Sequence, residues 1–339
     1  MANVGVRSLI LSVFLACLAF SGSAAPHPRS SRPGGDDLTV HEWGTFTSIA
    51  DRDGKAVSWN ALGGVYDLPE FVEHFRDANF KAGLRGTIRM ETPVLFFYSS
   101  VPTTASVRVG FSDGVITEWY PHASHVEPDP SKFLRQDALY HWLQVDGSIA
   151  WDFVSIEPGA ATHFPVGESE SRYYAARETS AAPLAVIAAD GHSQQEKFLF
   201  YRGVSAFRPP ISAQATADGR VTVRNLREDQ IPAVILFERR GDKLGYRLAG
   251  ALDREIELDP PELTSTMDSL GRNLEAVLAA QGLYPDEAAL WSRPGGHHGL
   301  KKAAACSTSF PAHLWMRFCR SRSARLLRRR FACLWAGWN

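Results

Sequence analysis

Five Asp-Gly dipeptides, at Asp53-Gly54, Asp113-Gly114, Asp146-Gly147, Asp190-Gly191 and Asp218-Gly219, punctuate the chain and constrain how it can fold. Each permits the positive φ that a tight β-turn requires, and the flanking residues alternate as strands do. Val107, Val109 and Phe111 lead into one turn and Val115, Thr117 and Trp119 leave it, while Val221 and Val223 follow another. Apolar runs at 94–98, 198–201 and 234–237 add buried or half-buried strands. Helical spacing is confined to two stretches. One is 68–80, with Leu68, Phe71, Val72 and Phe75 on one face; the other is 262–281, with Leu263, Met267, Leu270, Leu274 and Leu278, stopped by Gly282. The pattern predicts a mainly β protein, either an antiparallel β-sandwich or two stacked β-subdomains, with helices at 68–80 and 262–281. A boundary at 158–167 would separate a first β-rich subdomain, 38–157, from a second, 168–290, that carries the late helix.

The N-terminal stretch has the form of an export signal. Arg7 supplies a positive charge, the apolar run from Leu9 to Phe20 is too short to span a bilayer, and small residues occupy 21–25. Residues 1–25 are therefore expected to be a signal peptide and 26–37 a flexible linker. This places the protein in the periplasm or outside the cell, with no transmembrane helix once the leader is removed. Cys17 leaves with the leader and the next cysteine is Cys306, so the body must rely on its core and not on disulfides.

The net charge of −1 conceals an uneven distribution. Residues 1–291 carry 26 basic and 37 acidic side chains, whereas from Ser292 onward there are ten Lys or Arg and no Asp or Glu. An acidic body argues against nucleic acid as its partner, because phosphate binding needs a basic face. The absence of a phosphate-cradling glycine loop and of a Gly-x-Ser-x-Gly elbow removes support from two further enzyme classes.

Three strings are distinctive: Val40-His41-Glu42-Trp43-Gly44-Thr45-Phe46-Thr47, Arg89-Met90-Glu91-Thr92-Pro93-Val94, and Thr117-Glu118-Trp119-Tyr120-Pro121. Together they resemble a family of exported bacterial proteins that carry the same strings, over about 38–287 of this chain. That resemblance implies export and no particular activity, so the residues must be read on their own chemistry.

A strand over 38–47 puts Leu38, Val40, Glu42, Gly44 and Phe46 on one face, and a carboxylate among apolar neighbours needs a partner. Glu42, Glu91 and Glu118 are candidate catalytic carboxylates for acid-base work on a glycoside, with Arg89 as counter-charge. Trp43, Arg89, Trp119 and Tyr120 are the corresponding candidate binding residues, the aromatic rings serving as sugar platforms. The favoured competing interpretation, since structural ion pairs produce the same pattern, is an Arg-Glu network that pins the sheet, with the tryptophans, Trp59, Trp142 and Trp151 included, in the core. His122 and His125, near Glu118 and with His141 further along, form a weak candidate metal site, since their loop lacks the helical spacing of zinc motifs. No cofactor is specified. Two functions stay open: a non-catalytic envelope protein that binds a glycan or another protein through a β-sandwich face, and a carboxylate- or metal-dependent hydrolase acting on a cell-envelope or extracellular glycan.

Residues 291–339 differ in character from everything before them. Acidic residues vanish, Arg328-Arg329-Arg330 enters, and Cys306, Cys319 and Cys333 form an odd set of thiols. We expect an aberrant basic tail, disordered or frameshifted. With permitted synonymous codons, reading residues 331–339 from the third base of each codon can yield R-V-F-V-G-R-L-E, which alternates like a strand. A native basic tail that binds a membrane surface or nucleic acid is the alternative.

Overall fold

Strands form where the alternation and the turns require them, although one turn joins two sheets instead of closing a hairpin. The computed structural model describes residues 38–51, 53–62, 67–74, 84–90, 93–129, 146–168 and 171–290, together with the backbone strands 12–13, 316–320 and 329–336. In chain order the first strands are β1 (Ser12–Val13), β2 (Thr39–Thr47), β3 (Trp59–Asn60), β4 (Glu73–His74), β5 (Arg85–Gly86), β6 (Ile88–Met90) and β7 (Val94–Tyr98). There follow β8 (Thr103–Phe111), β9 (Gly114–Tyr120), β10 (His125–Glu127), β11 (Gly147–Ile156), β12 (Leu184–Ile187), β13 (Ser193–Glu196) and β14 (Phe198–Ser205). The remainder are β15 (Ile211–Ala215), β16 (Val221–Asn225), β17 (Val234–Arg240), β18 (Lys243–Ala249), β19 (Glu255–Leu258), β20 (Met316–Arg320) and β21 (Arg329–Ala336). Two α-helices, α1 (Met267–Ala280) and α2 (Pro285–Ala289), and a 3-10 segment over Arg172–Arg177 lie among them.

The larger sheet runs β18-β17-β1-β21-β2-β6-β14-β9-β4, with β7 pairing both β14 and β2. A second sheet runs β13-β12-β11-β8-β20, with β10 on β11, and β15-β16-β19 forms a third. The β2–β21 pair is parallel. Strands from both sides of 158–167 mix in each large sheet: β14 lies between β6 and β9, and β12 pairs with β11. Of the two architectures that the sequence leaves open, this interleaving is that of a sandwich.

Alternation sends each central strand into two cores. Val40, Phe46, Leu95, Phe97, Leu199 and Tyr201 pack toward the second sheet, against Val107, Val109, Ile149 and Trp151. Trp43, Val94, Phe96, Phe198 and Phe200 face the other way and are covered by Leu270, Leu274 and Leu278 of α1. Each of those leucines contributes about 1.5–3 kcal/mol by leaving water. Burial on both faces explains why β7 and the first half of β14 read as continuous apolar strings.

Helix α1 is set by its caps. Thr266 is extended, its side chain accepts from the Ser269 amide, Ser269 returns a bond to the Thr266 amide, and Gly282 ends the segment at φ 96°. The helix therefore starts at Met267 and not at Glu262, because Ser265 bridges to Leu244, its amide donating to the Leu244 carbonyl at 3.0 Å, and the extended Thr266 follows it. The expected helix at 68–80 does not form over the part that is described. There the chain turns through Leu68 to Val72 and then pairs Glu73 and His74 with the edge of β9; 75–80 lie outside the described residues. Leu68 and Val72 are still buried, so their spacing served packing and not helix formation.

Positive φ occurs at Gly54, Gly191 and Gly219, as the dipeptides require, whereas at Asp113-Gly114 the aspartate takes it, at φ 48°. That turn carries the chain from β8 in the second sheet to β9 in the first, so it is a sandwich corner. Gly114 is needed there for space: a Cβ would lie 2.6 Å from the Val204 carbonyl oxygen.

Within 291–339 the described backbone is β20, on β8, and β21, beside β2; the rest of that tail lies outside the described residues. Among the described residues no helix is long and apolar enough to cross a membrane.

Candidate functional site

The three carboxylates singled out in the sequence do not meet. Glu42 points toward the second sheet with Val40 and Phe46, is 2% exposed, and accepts a hydrogen bond from the Tyr201 hydroxyl. Glu118, also 2% exposed, lies on the opposite face. The reason is a β-bulge: Arg202 of β14 pairs with Glu118, but the next residue, Gly203, pairs with Ile116, which leaves Thr117 as an extra residue. One inserted residue reverses the alternation. Ile116 and Trp119 thus pack in the same core, while Glu118 stands beside Tyr120 and accepts from the Thr117 hydroxyl. Glu91 lies outside the described residues, as do His141 and Trp142.

Opposite Glu118 stands Arg202, nearly buried, which clamps Asp67 at 2.8 and 3.4 Å. Burial alone would raise the Asp67 pKa, but the Arg202 guanidinium, assisted by the charge of Arg89, outweighs it and holds the carboxyl below its ordinary value. Arg89 thus lies close enough to Asp67 for its charge to act on it.

The candidate binding aromatics are interior. Trp43 stacks on Phe96 with centroids 5.7 Å apart, Tyr120 meets Phe71 edge-on at 4.9 Å, and Trp119 donates its indole N–H to Glu73 at 2.9 Å. Covered on both sides, these rings present no platform to solvent. Trp151 is likewise sealed, donating to the Pro121 carbonyl at 2.9 Å. His122 and His125 have separate partners: His122 Nδ1 donates to Glu73 at 3.0 Å, and exposed His125 lies 3.8 Å from Asp152. Among the described residues no group of three or more His, Cys, Asp or Glu is arranged to hold a metal ion.

Two buried polar nodes escaped the sequence reading. In the first, Glu196 accepts from Tyr173 at 3.0 Å and from Arg177 at 2.7 Å, while the Arg177 guanidinium packs over the rings of Phe71, Phe164, Tyr173 and Tyr174. Burial, with the Glu196 charge, pushes the Tyr173 phenol well above its ordinary pKa. In the second, His41 Nδ1 donates to Glu287 at 2.8 Å beneath the rings of Tyr98 and Tyr284, and His41 Nε2 is buried without a hydrogen-bond partner. No local pattern could have paired His41 with Glu287, 246 residues on.

The exposed surface holds one conspicuous departure from regular structure. β11 pairs with β8 at Trp151↔Val107 and resumes at Val154↔Ala105, so Asp152 and Phe153 together oppose Ser106. Phe153 takes φ 60° and is 77% exposed. A non-glycine residue in that conformation costs about 1–3 kcal/mol, and an exposed Phe forgoes a further ~1.5–3 kcal/mol of burial. The sequence did carry a sign of this: Ile149 and Trp151 keep one alternation and Val154 and Ile156 the shifted one, so one extra residue must be accommodated between them. The amide of Asp152 donates to Ser124 Oγ at 2.9 Å, which fixes the bulge.

Compared with protein-family models, with curated proteins and with solved structures, the chain finds no match.

Proposed function

We propose that this is an exported, non-catalytic binding protein of the cell envelope that recognises its ligand through the outer face of the second sheet. The observation that carries this reading is the placement of Glu42 and Glu118. Both are sealed, and the sheet stands between them, so neither acid-base pairing across one bond nor attack on a shared substrate is available to them. The strained, exposed bulge at Asp152-Phe153 gives the outer face a feature whose cost the fold itself does not recover. Export rests on the leader at residues 1–25, and mass spectrometry of the protein from a periplasmic fraction should find a new N-terminus at Pro26. The decisive test is to incubate the purified protein with cell-envelope glycans and assay both retention and release of reducing ends. Retention without release is expected. Release that disappears in Glu118→Gln or Glu42→Gln overturns the non-catalytic reading.

A further inference from the structure

Building on that reading, we infer that Phe153 and its neighbours form a binding site for a neutral saccharide, with the Phe153 ring as stacking platform and Asp152 as hydrogen-bond acceptor. The ring stands clear of the sheet at 77% exposure and is held there by backbone geometry at φ 60°. A pyranose presents an apolar C–H face, and an exposed aromatic ring is the side chain that takes it. Hydroxyl groups at the rim of such a sugar need polar partners close to the ring. Asp152, adjacent and half-exposed, is anchored through its amide to Ser124 and lies 3.8 Å from His125. Carboxylate and imidazole are thus placed to accept from and donate to vicinal hydroxyls.

Size separates this ligand from a protein partner. The β11–β12 register ends at Ser155↔Ala185; beyond it, Ile187 of β12 shares the outward side with Ala185, opposite the buried Leu184 and Val186, and is 64% exposed. Around Phe153 and Ile187 the outward positions are small or polar, among them Ser106, Ala185 and Ser155. The apolar surface amounts to about one ring and one aliphatic side chain, far short of the roughly 800 Å² per partner of a stable protein interface. It does match a single sugar ring. Charge narrows the class further, since an acidic body with Asp152 at the site disfavours uronic-acid or sulfated polymers.

The test uses the full protein and three probes: β-1,4-linked hexasaccharides of glucose and of N-acetylglucosamine, and α-1,4-linked maltohexaose, titrated by calorimetry. Wild type should bind at least one of them. Phe153→Gly should weaken that binding at least tenfold while the melting temperature stays level or rises, because glycine adopts the bulge conformation freely and no buried contact is lost. Asp152→Asn should weaken it severalfold with the fold unchanged. Wild type that binds none of the three, or Phe153→Gly that binds as wild type does, overturns the site. Reducing ends released from the bound oligosaccharide would instead overturn the non-catalytic reading while leaving the location of the site intact, so the two failures are distinguishable.

Discussion

His41 on the first strand of the body and Glu287 on α2 are joined by a hydrogen bond of 2.8 Å, and neither side chain reaches solvent. The bond ties a helix late in the body to the middle of the central sheet. Glu287 also accepts from the Tyr284 amide at 2.7 Å, so one carboxylate both caps α2 and fastens it. Tyr98 and Tyr284 pack against the imidazole, with ring centroids 5.2 and 4.6 Å away.

Removing one member of this pair should therefore be costly. Glu287→Ala and His41→Ala are each expected to lower stability by about 3–5 kcal/mol, the range for breaking a buried pair. The double variant should lose much less than the sum. Urea denaturation of the four proteins measures the coupling, and additive losses would show that the bond carries no energy of its own.

Glu42 makes a milder case. Its contact with Tyr201 lies in the core between the two large sheets, and Glu42→Ala should cost about 1–3 kcal/mol by abandoning the Tyr201 hydroxyl. Glu42→Gln, which can still accept that bond, should recover most of it. If Glu42→Ala melts as wild type does, the carboxylate is not held as described.

Much of the fold was legible in the sequence, because binary alternation and turn chemistry are local. The strands flanking Asp190-Gly191 and Asp218-Gly219 pair as hairpins, and α1 follows its capping residues and its leucines. Asp113-Gly114 misled, since a turn looks the same locally whether its strands share a sheet or part at a corner. The site was harder to read for a related reason. Uniform alternation along β9 would put Glu118 on the side of Ile116, and the single bulge residue reverses that assignment. Nor does a spacing rule reveal Glu287, whose partner lies 246 residues away, or Glu196, whose partners lie 19 and 23 residues away on another element. At Phe153, by contrast, the slip in alternation was visible, but a bulge on paper does not say which of its residues faces solvent.

The buried phenols set an alkaline limit on stability. Burial first, then the neighbouring carboxylates, raise Tyr98 and Tyr173 well above 10 and Tyr120 to about 12. The unfolded chain ionises its tyrosines near 10, so between about pH 10 and 12 it releases protons that the folded protein retains. Stability from these groups is whole below about pH 10 and is lost as pH rises toward the folded values. Melting temperature should fall across that interval together with the rise of phenolate absorbance. Absorbance that reaches its full value near pH 10 with the fold intact would contradict the burial of these rings.

Two glycines test how tightly the central strand is packed. A Cβ on Gly44 would stand 2.8 Å from Pro93 Cα and 3.0 Å from Pro93 N, both backbone atoms that cannot rotate aside. β2 must therefore separate from the chain entering β7 or distort its own ladder, at a cost of about 1–3 kcal/mol for Gly44→Ala. Gly250, after β18, has nothing within 4 Å of the same added atom and does not occupy the positive-φ region. Gly250→Ala should be neutral or stabilise by up to ~1 kcal/mol, because alanine has less freedom to lose on folding. Thermal melts of the two variants side by side separate contact from conformational entropy. Equal melting temperatures would mean that Pro93 does not lie against Gly44 as described, and that the approach of the two strands is looser than this packing requires.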